Sequence, residues 1–109
     1  MVQWPKQRAW GWYATLIRAP WFCLKILRFR PMGKLSLQRH KYRTEMWLFI
    51  NANGVVRHGG YRRYIHKLWG MIVIKPNKWH TFAAFSKPVY IIELQYGRKV
   101  TESDIERKL

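Results

Sequence analysis

The chain has 109 residues, of which 49% are hydrophobic and 17% aromatic; this suits one domain with a packed core and excludes a disordered chain. Lysine and arginine number 21 against five acids (Glu45, Glu93, Glu102, Asp104 and Glu106), for a net charge of +16, which favours anionic partners such as phosphate esters, nucleic acid or an acidic protein surface. The one cysteine, Cys23 in the apolar run Trp21-Phe22-Cys23-Leu24, excludes an internal disulfide framework and points to a reducing, cytoplasmic setting, and the apolar runs 46–50 and 71–74 fall far short of the roughly 20 residues of a membrane-crossing helix.

Residues 1–21 carry Trp4, Trp10, Trp12 and Trp21 in no regular period. They are expected to form an irregular arm, lying across the domain or along a second subunit, ahead of a single domain over 22–109. From there turn signals recur at short intervals: Pro31-Met32-Gly33, Asn51-Ala52-Asn53-Gly54, His58-Gly59-Gly60, Lys75-Pro76-Asn77 and Ser86-Lys87-Pro88. Between them lie short runs rich in aromatic and β-branched residues, the rhythm of an all-β sandwich or barrel. Strands are predicted over 22–30, 34–42, 45–50, 55–58, 61–66, 70–75, 79–85 and 88–96. In the tail, Thr101-Glu102-Ser103-Asp104 has the form of a capping box with Arg107-Lys108 following, which predicts one short helical turn. A barrel this small has strand edges to cover, so a homodimer is expected.

The run Lys34-Leu35-Ser36-Leu37-Gln38-Arg39-His40-Lys41-Tyr42 carries the chemistry. Strand alternation sends Leu35 and Leu37 one way and Ser36, Gln38, His40 and Tyr42 the other. A turn at Arg43-Thr44 would bring Glu45 back beside His40, and a later strand opening at Trp79-His80 could face the pair. One amide oxygen, two imidazoles and one carboxylate suit Zn, Fe, Mn, Co or Ni as a divalent ion. Spacing alone also allows two unrelated histidines, one buried and one exposed. His58 and His66, in a turn and a polar strand, are expected to face solvent, while Trp47, Trp69 and Trp79 are expected in the core and Glu93 outside the barrel mouth.

The segment from Leu35 through Gln38-Arg39-His40-Lys41-Tyr42-Arg43-Thr44-Glu45-Met46-Trp47 resembles the pattern LSLQxHxHRxEHW. That pattern marks the mannose-6-phosphate isomerase-like cupin that closes bifunctional isomerase/guanylyltransferases. Trp10-Gly11-Trp12-Tyr13, Pro76-Asn77-Lys78-Trp79-His80, and Ile91-Ile92-Glu93-Leu94-Gln95 with Glu102-Ser103-Asp104-Ile105-Glu106-Arg107 resemble further family motifs in the same order. The resemblance implies a double-stranded β-helix, the cupin jelly-roll barrel, with Gln38, His40, Glu45 and His80 as metal ligands. It implies Arg43 and Arg107 as grips for phosphate or substrate oxygen, with Tyr42 beside them. The family's second HxH histidine and the histidine after the glutamate are Tyr42 and Met46 here, and the second motif lacks its glycine. The implied function is binding or isomerising a sugar phosphate in carbohydrate or polysaccharide metabolism. The alternative is a degraded pocket whose basic surface binds nucleic acid or an acidic protein. No Gly-rich nucleotide loop is present, so guanylyltransferase activity is not expected.

Overall fold

A computed structural model describes residues 5–51, 53–65 and 69–108; Trp4, Ala52 and His66 fall outside them. Among the described residues eleven strands follow one another: β1 (Lys6–Arg8), β2 (Gly11–Ala19), β3 (Phe22–Phe29), β4 (Leu37–Arg39), β5 (Arg43–Phe49), β6 (Gly54–His58), β7 (Tyr61–Ile65), β8 (Gly70–Ile74), β9 (His80–Ala84), β10 (Val89–Gly97) and β11 (Glu106–Lys108). They form two antiparallel sheets, ordered β1-β2-β3-β10-β5-β8 and β11-β4-β9-β6-β7. The expected all-β, double-stranded β-helix is the architecture found.

The inward faces of the central strands are graded along their length. On β5 the buried residues run Phe49, Trp47, Glu45, Arg43, and on β10 they run Val89, Ile91, Glu93, Gln95. Register carries this gradient across the strands: Ile91 pairs with Phe49, Glu93 with Trp47, and Gln95 with Glu45. On the far side of β10, Val89 meets Phe29, Ile91 meets Leu27, and Glu93 meets Lys25. One end of the barrel is therefore largely apolar and the other polar, because β3, β5 and β10 place their buried charged residues toward the same end. The apolar end is closed by aromatic packing: Phe29 meets Phe82 edge-on at 4.8 Å, and Trp10 stacks on Phe29 at 4.4 Å. Each ring buried there contributes roughly 1.5–3 kcal/mol.

Several details differ from expectation. The stretch expected as an irregular arm is sheet: β2 pairs with β3 along nearly its whole length, and a bulge between Thr15 and Ile17 breaks the two-residue period that would have revealed it. The tail makes no helical turn. Asp104 spends its carboxylate on the amides of Lys41 and Tyr42, and residues 106–108 pair with β4 as β11. The strand predicted over 34–42 shrinks to three residues plus a bridge from Lys34 to Ala83. The chain is irregular between Leu35 and Gln38, so both face inward instead of alternating. Trp47 is fully buried as expected, whereas Trp69 is 61% exposed. Trp79 is half-buried, with Arg39 and Lys108 each 4.6 Å above its ring.

Gly97, at the end of β10, has φ +156°, and a Cβ there would lie 2.5 Å from the Tyr42 carbonyl oxygen. Only glycine lets β10 pass this close to β5 before the chain turns across the polar end of the barrel.

Candidate metal centre

Three elements converge at the polar end. β4 and its continuation carry Gln38 and His40, β5 carries Glu45, and β9 opens on His80, which pairs in register with Gln38. His40, Glu45 and His80 are all buried, and each offers a ligand atom within 4.8 Å of the others. The two imidazole centroids are 5.1 Å apart. A shared ion with bonds of about 2.0–2.2 Å could span this gap.

The backbone fixes which nitrogen each histidine presents. His40 Nδ1 lies 2.7 Å from the Asp104 carbonyl oxygen, and His80 Nδ1 lies 2.9 Å from that of Lys78. A carbonyl only accepts, so each Nδ1 donates, and in the neutral ring Nε2 keeps a lone pair directed inward. His40 Nε2 is 3.1 Å from Glu45 Oε2. His80 Nε2 is buried with no hydrogen-bond partner, its nearest carboxylate oxygen, Glu45 Oε1, being 3.5 Å away. An orphaned buried acceptor is costly, and here it faces two further donor atoms. This is how histidines are oriented for a metal, with the outer nitrogen tied to a carbonyl. The donor set therefore fits a divalent ion. Gln38 is buried, and its Nε2 donates to the Ser36 carbonyl at 3.3 Å, leaving its amide oxygen as an acceptor.

Arg43 lies in the same cluster. Its Nε and Nη2 donate to Glu45 Oε2 at 2.9 and 2.8 Å, Nη1 donates to the Thr101 carbonyl at 3.0 Å, and Nη2 is 3.3 Å from His40 Nε2. The guanidinium thus braces Glu45 and ties the closing segment, residues 98–105, to the site. Arg107 is exposed at the cavity mouth, with Arg8 and Lys34. Tyr42 is half-buried outside the cavity lining, its ring faced by Lys41, Arg98 and Lys99 at 5.5–5.6 Å. His58 pairs in register with His80 but lies outside the cluster and half-buried.

Burial alone would push the Glu45 carboxyl up, yet the adjoining imidazoles of His40 and His80 and the charge of Arg43 hold it well below the usual carboxylate range. Burial would likewise lower His80, but the neighbouring Glu45 outweighs it and raises the imidazole above its ordinary value. At 3.5 Å that influence is mainly charge, since the gap is too long for a good hydrogen bond.

A cavity of about 390 Å³ opens from this cluster to the mouth. Its wall includes Lys25, Glu93 and Gln95, none of which the sequence reading placed inside. Glu93, expected outside the mouth, is 5% exposed. It accepts from Trp47 Nε1 at 2.8 Å and from Gln95 Nε2 at 2.6 Å, and burial with the nearby Glu45 charge raises its pKa. The signal was there: the two-residue alternation through Ile91, Glu93 and Gln95 puts all three on one face. Trp47 Nε1 also lies 3.1 Å from Glu45 Oε1, so one indole bridges the two buried carboxyls.

The family described as mannose-6-phosphate isomerase C-terminal matches residues 3–108. The alginate biosynthesis protein AlgA of Pseudomonas aeruginosa is 31% identical over 101 residues, covering 92% of this chain and 21% of that protein. A mannose-1-phosphate guanylyltransferase of Klebsiella pneumoniae is 26% identical with the same coverage. The chain therefore spans about a fifth of the length of these relatives. Among solved structures, the capsular polysaccharide assembling protein CapF of Staphylococcus aureus superposes with a TM-score of 0.81 at 15% identity, over 95% of this chain and 32% of that one. The cupin domain of Schizosaccharomyces pombe Cnp3 gives 0.74 at 10% identity, over 80% and 64%. These likenesses establish the barrel.

Proposed function

Since the chain belongs to the mannose-6-phosphate isomerase C-terminal family, we propose that it is a divalent-metal cupin whose cavity takes a sugar phosphate. The observation that carries this reading is the inward pair of Nε2 atoms facing the Glu45 carboxylate, one of them without any partner. Gln38, His40, Glu45 and His80 would hold the ion, an oxygen and nitrogen set suited to Zn, Fe, Mn, Co or Ni. When bound, such an ion polarises a carbonyl or hydroxyl oxygen.

The chain's own residues supply the rest. Arg107, Arg8 and Lys34 at the mouth offer cations to a phosphate, and Arg107 can do so with the bidentate geometry of a guanidinium. Glu93 and Gln95 present oxygen and amide groups to sugar hydroxyls. With its pKa raised by burial and the nearby Glu45 charge, Glu93 is the wall carboxyl suited to exchange a proton with a ligand carbon or hydroxyl. Arg43 is assigned to holding Glu45, because all three of its nitrogens are engaged inside the protein.

The test is metal content in tag-free protein, loaded and then dialysed, by elemental mass spectrometry. Wild type should retain about one equivalent, and His40→Ala and His80→Ala should each retain almost none. Metal-free wild type after loading sinks the proposal. Turnover of mannose 6-phosphate by the loaded protein then separates isomerisation from binding.

A further inference from the structure

The outer face of the second sheet carries an arrangement that the cavity does not explain. Register places Tyr64 opposite Val55, Val55 opposite Ala83, and Ala83 opposite Lys34. Two residues along, Arg62 stands opposite Arg57, and Arg57 opposite Thr81. The first row spans three strand spacings, about 14 Å, with an aromatic ring at one end and a cation at the other. A shallow cleft of about 250 Å³ runs over this face, lined by Lys34, Arg57, Arg62, Tyr64 and Phe85 among others. The Tyr64 and Phe85 rings lie 6.3 Å apart, tilted by 33°.

Two like charges directly opposite on neighbouring strands oppose the sheet, and no ion pair among the described residues relieves them. All five acids of the chain are committed elsewhere. Glu45 and Glu93 are inside the barrel, Glu102 sits on Arg18 and Lys25, Asp104 caps the amides of Lys41 and Tyr42, and Glu106 pairs with Arg39 at the opposite edge, between β11 and β4. Among the described residues, Lys34, Arg57 and Arg62 have no ion-pair partner. A face with unrelieved positive charge next to two adjacent aromatic rings has the two elements of single-strand recognition: cations that track a backbone and rings on which bases stack. An acidic protein segment would use the cations and leave the rings without a role. Rings in an open cleft can stack only on bases whose faces are exposed, which favours unpaired bases over a duplex.

We propose that this face binds single-stranded nucleic acid, with phosphates on Arg57, Arg62 and Lys34 and a base against Tyr64 and Phe85. The site shares Lys34 with the cavity mouth but no residue with the metal cluster, and Arg57, Arg62, Tyr64 and Phe85 belong to it alone, so variants of these four test it independently of the sugar-phosphate reading.

The experiment is fluorescence anisotropy with the full chain and a labelled uridylate 12-mer, at 50 and 200 mM salt. Wild type should bind and weaken steeply with salt. Arg57→Gln/Arg62→Gln should weaken binding at least tenfold at 50 mM and flatten the log–log salt slope by about 1.4, the loss of two phosphate contacts. Tyr64→Leu should weaken binding about tenfold while leaving the slope unchanged. His80→Ala should bind as wild type does. Thermal melts by circular dichroism confirm that each variant is folded, and Arg62→Gln alone, on the edge strand, stands in should the double variant melt early. No wild-type binding below about 100 µM, the weak end of ordinary non-specific association, overturns the proposal. So does polyglutamate of equal charge binding as tightly with Tyr64→Leu having no effect, which would assign the face to acidic proteins.

Discussion

Glu45 and Arg43 form a buried charge pair whose removal, one partner at a time, should be far more damaging than removal of both. Arg43 is 6% and Glu45 2% exposed, and two guanidinium nitrogens reach the same carboxylate oxygen at 2.8 and 2.9 Å. Glu45→Gln leaves the guanidinium charged, buried and unpaired, a loss of about 3–5 kcal/mol. Arg43→Met leaves the carboxylate beside His80, whose affinity for a proton is raised, so its cost should fall at the lower end of that range, about 3 kcal/mol. The double variant strands no charge and should cost no more than the milder single one. The coupling energy is then about 3 kcal/mol or more, well above the 0.5 kcal/mol that independent sites show. Urea unfolding with a chelator present reads it directly: at a slope of about 2 kcal/mol per molar, Glu45→Gln should lower the midpoint by about 2 M. Single effects that simply add in the double variant would mean that the pair is screened or relaxed in solution, and the reasoning about a dry, charge-balanced pocket would fail.

The titrating groups predict a stability optimum in mildly acidic solution. Glu45 is depressed in the folded state, so its contribution is present above the unfolded carboxylate pKa of about 4.3 and is lost as pH falls below it. Glu93 and His80 are raised, so the folded state binds more protons than the unfolded one, and stability declines as pH climbs through their folded values. Glu93→Gln should remove part of that decline, raising the urea midpoint at pH 8 relative to wild type and changing little at pH 5; an unchanged pH profile would contradict it. Asp104→Ala frees the amides of Lys41 and Tyr42, which its carboxylate holds at 2.8 and 2.9 Å, and loosens the segment whose carbonyl orients His40. Metal affinity, measured by competition with a chelating dye, should drop about tenfold or more while the barrel still melts cooperatively. Gly97→Ala would drive a Cβ to 2.5 Å from the Tyr42 carbonyl and should cost about 2–4 kcal/mol, read as a lower thermal midpoint.

The barrel was legible because its evidence is local and periodic. Short β-rich runs between turn residues need no knowledge of partners, and strands such as Phe22–Phe29 and Val89–Gly97 alternate without interruption. The elements that escaped are those whose conformation a distant partner decides. A bulge hid β2, and the capping-box residues at 101–104 were drawn away from a helix by the backbone amides at 41 and 42. The three donors His40, Glu45 and His80 are legible in the motifs that carry them, yet the arginine between two of them has a role that no spacing shows: the guanidinium of Arg43 lies 2.8 Å from Glu45 and 3.3 Å from His40 Nε2. That position makes the same residue a brace and a competitor. With the two histidines it helps to keep Glu45 ionised before any ion arrives, and it takes up lone pairs of one carboxylate oxygen that an ion would also seek. A divalent ion entering the cluster therefore meets a pre-ionised ligand set and a resident cation at once, and its affinity is set by the difference between these two effects.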